Sequence, residues 1–149
     1  MSGRDLTLVV QRASRARHIP GDAVLRAWAR AALARRAAVT VRYVAETEGR
    51  RLNRAFRSKD RATNVLTFIY DDAPRGELAG DIVICATVVA REARGQGKAV
   101  QAHHAHLLVH GLLHLQGLDH EREEDARRME RRERAILRRL GFGDPYAAG

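Results

Sequence analysis

Cys85 is the only cysteine in the 149-residue chain, so no intrachain disulfide can form and a reducing compartment suits it. Long apolar runs are missing too. Leu6 and Leu8-Val9-Val10 make a run too short for a signal-peptide core, and nothing later approaches a membrane span. A cytoplasmic location is the expectation. No internal repeat and no low-complexity tract is present, which sets aside repeat architectures. Lysine is nearly absent. Of 27 basic residues only Lys59 and Lys98 are lysine, which leaves 25 arginines.

What is present is positive charge on an ordinary globular composition. Hydrophobic residues make up 45%, enough for a core, and the length suits one domain spanning 1–149. Against 18 acidic residues the basic excess gives a formal charge of +9. Arginine forks grip phosphate at two points and stack on bases, so a nucleic-acid partner fits; a general coding bias toward arginine would leave the same mark.

Periodicity supplies the elements. Leu6 to Gln11 reads as a strand, and Pro20-Gly21-Asp22 opens a helix with Val24, Leu25, Trp28, Ala32 and Leu33 on one face. Val39, Val41 and Tyr43 alternate with polar neighbours, as in a half-buried strand. Leu52 to Phe56 belongs to a short helix ending at Arg57-Ser58-Lys59-Asp60-Arg61. Asn64 to Ile69 and Asp81 to Ile84 read as strands, with turn chemistry from Asp71 through Pro74 to Gly76 between them. Helices follow over Val88–Arg94, Ala99–Leu115 and Glu121–Leu140, the last burying Ala126, Met129, Ile136 and Leu140. Its acidic first turn and basic last turn complement the helix dipole. Asp81, ending a loop, and Cys85, packed at a strand end, read as structural. The fold class expected is α+β: a small mixed sheet covered by helices, with a central helix carrying two metal-ligand histidines.

Six of the seven histidines fall between residues 103 and 120. On a helix, His110 and His114 project from one face and can offer two ring nitrogens to one ion. The next positions on that face hold Gly117 and Leu118, which cannot ligate, so a third ligand must come from beyond the helix. Gly117 can take the left-handed conformation that turns the chain back and brings His120 to the pair. Three neutral imidazoles leave a tetrahedral ion one open position, as in catalytic zinc sites. His103 and His106 read as surface residues or as supports for the ligands; Asp119 could orient a ligand imidazole or cap the turn.

The spacing H-x-x-x-H-x-x-G-x-x-H is that of metzincin zinc proteases, which place a glutamate base after the first histidine. Here that residue is Gly111, which cannot take a proton, and no Met-turn is evident.

These residues resemble a known family. His110 to His120 is similar to the HGxLHLxGYDH motif of the YbeY endoribonucleases, bacterial metal-dependent enzymes of rRNA maturation. Leu52 to Asp60 resembles that family's LNxxYRxKD segment, Thr63 to Phe68 its T(D/N)VLSF strand, and Gly80 to Ile84 its GDIVI strand. Ala105-His106 and Asp144-Pro145-Tyr146 also match. Leu118, Thr67 and Ile69 depart from the usual Tyr, Ser and Pro, which touches substrate detail rather than metal binding. The resemblance implies zinc-dependent cleavage of single-stranded RNA, in 16S rRNA 3′-end maturation and ribosome quality control, with the ribosomal small subunit and its assembly factors as partners. It maps the family's functional arginine onto Arg57. The expected site is therefore one zinc ion on His110, His114 and His120, with Arg57 and His110 in catalytic roles. Arg54, Lys59 and Arg61 are expected on the RNA backbone, and His106 and Asp119 behind the ligands. The competing readings are a metalloprotease-like hydrolase and a non-catalytic ribosome-assembly factor with a structural metal.

Overall fold

A computed structural model describes residues 6–57, 63–73 and 76–147. In chain order the elements are β1 (Leu6–Ala13), α1 (Asp22–Ala32), β2 (Ala37–Val44), α2 (Glu46–Arg57), β3 (Val65–Ile69), β4 (Leu78–Cys85), α3 (Ala86–Gln96), α4 (Val100–Leu115) and α5 (Glu123–Arg139). The four strands form one mixed sheet in the order β1-β2-β4-β3. β1, β2 and β4 run parallel, and β3 closes the edge antiparallel to β4. The architecture is α+β, as the pattern of elements implies.

Alternation decides what each sheet face holds. Val39, Val41, Tyr43, Ile82 and Ile84 point to one side and join the larger core with α1, α4 and α5. Val44, Leu66, Val83 and Cys85 point to the other, where Val88, Leu52 and Phe68 cover them. α4 is apolar nearly all round, so it sits in the middle: it touches α1, α3, α5, β3 and β4. Its approach to the sheet depends on Gly80. A Cβ there would lie 2.4 Å from the Phe68 carbonyl oxygen and 2.6 Å from Leu115 Cδ1.

Three helices end the same way. After α3, α4 and α5, glycines 97, 117 and 141 take positive φ. At each end the residue after the glycine donates its N–H back across the last turn: Lys98 to Ala93, Leu118 to Leu113, Phe142 to Leu137. This is the Schellman arrangement, which satisfies carbonyls that the helix leaves without partners. At Gly117 it reverses the chain over the end of α4.

Three expectations shift. Val24 is 42% exposed, because Leu25, Trp28, Ala29 and Ala32 set the phase of the buried face of α1. Asp81 lies inside β4 rather than ending a loop, and its carboxylate accepts a hydrogen bond from the Tyr70 hydroxyl. α2 begins at Glu46, well before Leu52. Among the described residues no helix is long and apolar enough to cross a membrane.

Candidate metal centre

His110 and His114 stand one turn apart on α4, and the Gly117 reversal carries His120 back to them. The His120 ring centre lies 5.2 Å from that of His110 and 6.3 Å from that of His114. Among the described residues, the ligating atoms of His114, Asp119 and His120 lie within 4.8 Å of one another; His110 is not part of that set and adjoins it through its ring, 5.2 Å centre to centre from that of His120. Asp119 also accepts the His120 backbone N–H at 2.7 Å. Asp119 therefore belongs to the cluster itself, closer in than a residue acting only from behind.

The hydrogen bonds fix which ring nitrogen each helical histidine has to offer. His114 Nδ1 meets the Leu118 carbonyl oxygen at 3.1 Å. A carbonyl can only accept, so Nδ1 carries the proton and Nε2 keeps its lone pair. His110 Nδ1 meets Glu133 Oε2 at 2.6 Å. Burial, helped by the neighbouring His110 and His120, lowers the His114 pKa against the opposing pull of Leu118 and Asp119. That shift favours the neutral ring, the form metal ligation requires.

Glu133 on α5 has no exposed surface. Burial alone would raise its pKa, but hydrogen bonds from His106, His110 and Tyr146 outweigh that and hold it at about 2. It is therefore ionised, so His110 Nδ1 donates to it, which leaves Nε2 as the nitrogen this ring can offer. Glu133 Oε1 meets His106 Nε2 at 2.9 Å and accepts the Tyr146 hydroxyl. His106 thus reaches His110 through Glu133, and its ring also stands edge-on to that of His110, with centres 6.4 Å apart. His103 is buried against Glu92 at 2.9 Å and takes no part.

Gly111 fits the sheet side of α4 and not the histidine side. A Cβ there would lie 3.1 Å from Ile82 Cγ2 and 3.3 Å from Thr67 Oγ1. A glutamate at 111 would be driven toward the sheet, so this position cannot supply the metzincin base for reasons of space as well as chemistry.

Arg57 ends α2; its side chain, and the whole of Lys59 and Arg61, lie outside the described residues. Arg54 is exposed on α2. On the same helix Phe56 is 64% exposed and meets Phe68 of the edge strand edge-on, with ring centres 5.1 Å apart. Glu133 and Tyr146 were not foreseen as site residues. The signal for Glu133 was its phase: four residues after Met129 and three before Ile136, it falls on the apolar stripe of α5.

A family model described as Endoribonuclease YbeY matches residues 11–141. The chain is 58% identical over 146 residues to the Endoribonuclease YbeY of Aromatoleum aromaticum, covering 95% of this chain and 93% of that protein. It is 53% identical over 155 residues to the one of Nitrosospira multiformis, covering 95% and 82%. The solution structure of a Thermotoga maritima protein shares the fold, with a TM-score of 0.54 and 23% identity over 93% of this chain and 99% of that one.

Proposed function

The chain belongs to the YbeY endoribonuclease family, and from that premise we propose that it is a cytoplasmic, zinc-dependent enzyme cutting single-stranded RNA. Its setting is 3′-end maturation of 16S rRNA and ribosome quality control, with the small subunit and its assembly factors as partners. One zinc ion is held by His110, His114 and His120. The observation that carries this is the pair of occupied Nδ1 atoms on α4. Each is tied to an oxygen that accepts its proton, at 2.6 Å from Glu133 and 3.1 Å from Leu118, so each ring has only Nε2 left to give. Ligating imidazoles are held in this way by a bond on the other nitrogen. Asp119 stands beside them and steadies the His120 backbone.

When bound, zinc supplies a Lewis acid that polarises a phosphoryl oxygen or brings a water pKa down to about 7. The chain's own residues do the rest. Arg57 binds the scissile phosphate; its planar fork can take two non-bridging oxygens, where charge builds as the phosphorus is attacked. Arg54, Lys59 and Arg61 track the RNA backbone. Phe56, next to Arg57 and steadied by Phe68, offers a stacking face that an unpaired base can use and a paired one cannot.

The test is cleavage of single-stranded rRNA by the purified protein, with and without a chelator. Activity should vanish on chelation while the far-UV spectrum stays folded, and return with zinc. His114→Ala and Arg57→Ala should each lower turnover by about 10²–10³-fold. Unchanged turnover in both variants would remove the catalytic assignment.

A further inference from the structure

We infer that Glu133 and Tyr146 form a positioning pair through which the C-terminal segment sets the metal affinity of His110. The inference rests on His110 being a ligand.

A carboxylate with no exposed surface is costly unless donors surround it. Glu133 has three, from two parts of the chain: His106 and His110 on α4, and Tyr146 beyond α5. They are divided unequally. Oε1 serves both His106 and Tyr146, and Oε2 serves His110 alone at 2.6 Å. Two donors on one oxygen fix the plane of the carboxylate, so the other oxygen is aimed at the His110 ring. His106 Nε2 and the Tyr146 hydroxyl are also within 3.2 Å of each other, which closes the arrangement. A carboxylate on Nδ1 orients an imidazole and makes its other nitrogen a better donor to metal.

The segment carrying Tyr146 is fastened at several points. Asp144 accepts the Tyr146 N–H at 2.8 Å and the Arg134 guanidinium at 3.2 Å. Arg134 lies over the Tyr146 ring, 5.2 Å from its centre. Lys98, just before α4, donates to the Pro145 carbonyl. Chain ends generally fray unless something ties them down. Here the ties converge on one phenol, and that phenol ends on the carboxylate behind His110. His114 is held differently: its Nδ1 rests on the Leu118 carbonyl, just past the Gly117 reversal.

A purely structural role for the pair predicts lost stability and unchanged affinity. The experiment measures zinc affinity of the metal-free, full-length protein by competition with a chromophoric chelator, alongside the thermal midpoint of the zinc-free form. Glu133→Gln should weaken zinc binding about 10–100-fold. Tyr146→Phe should weaken it by less, and the double variant should be no weaker than Glu133→Gln alone, because the hydroxyl acts through the carboxylate. Tyr146 is 41% exposed, so its variant carries the test if Glu133→Gln fails to fold. If His114→Ala weakens zinc binding while both pair variants stay within about twofold of the parent, the positioning role is overturned and the metal reading stands. If His114→Ala is also without effect, the metal reading falls, and the pair with it.

Discussion

His104 sits two residues from His106 and does something quite different. It is fully buried on α4, its ring centre 5.7 Å from that of Tyr43, and neither ring nitrogen has a hydrogen-bond partner among the described residues. Burial, with His103 and His18 adding to it, lowers its pKa from 6.5 to about 4. Between those values the unfolded chain takes up a proton that the folded chain refuses, so stability is whole above pH 6.5 and drains as pH falls toward 4. The difference corresponds to about 3 kcal/mol. Urea unfolding of the zinc-free protein should show that loss. His103 and His114 are shifted the same way and contribute to it. His104→Leu should remove its own share and flatten the profile; an unaltered slope would assign the loss to the other histidines. Such a histidine is not legible in sequence, where His103, His104 and His106 look alike. The grouping of His110, His114 and His120 is legible, because a four-residue step followed by a glycine bend is already a geometric statement. Glu133 falls between these cases. Among Glu130, Arg131, Arg132 and Arg134 it passes for one more solvated charge, and only its phase against Met129 and Ile136 betrays it.

At the scale of elements, most of the order could be read directly. Alternation marks β2, and three glycines mark the ends of α3, α4 and α5. The start of α2 could not be read, because its first turns carry Glu46, Glu48, Arg50 and Arg51 with no apolar stripe to announce a helix. Strand pairing was out of reach for another reason. Pairing β2 with β4 in parallel, with β3 outside, is decided by how α2 and α4 cover the two faces, and that information is not local. At Gly80 a side chain would run into both the edge strand and the end of the central helix. Gly80→Ala should destabilise the fold by about 1–3 kcal/mol, since its methyl would meet backbone that cannot step aside. A chevron or urea titration would measure it. Gly111→Ala should cost less, because its nearest neighbours are side-chain methyls and a hydroxyl that can give. Equal costs at the two positions would mean that the strand edge yields as easily as a rotamer.

Over the whole molecule the unusual quantity remains charge, +9 carried almost wholly by arginine. Part of it lies on α5, which turns Met129, Glu133, Ile136 and Leu137 inward and leaves arginines 128, 131, 132, 138 and 139 exposed. If the excess serves RNA, those guanidiniums displace counterions from phosphates, and affinity must fall with salt. Each phosphate neutralised on a single strand contributes about 0.7 to the slope of log affinity against log salt. Arg131→Ala combined with Arg138→Ala should therefore lower that slope by about 1.4 on a long single-stranded RNA. Phe56 supplies the contrast. Stacking releases no counterions, so Phe56→Ala should cost about 1–3 kcal/mol of affinity and leave the slope alone. Filter binding at a series of salt concentrations separates the two. A slope unmoved by loss of the α5 arginines would mark them as a solvated face, and the charge excess would then carry no information about the substrate.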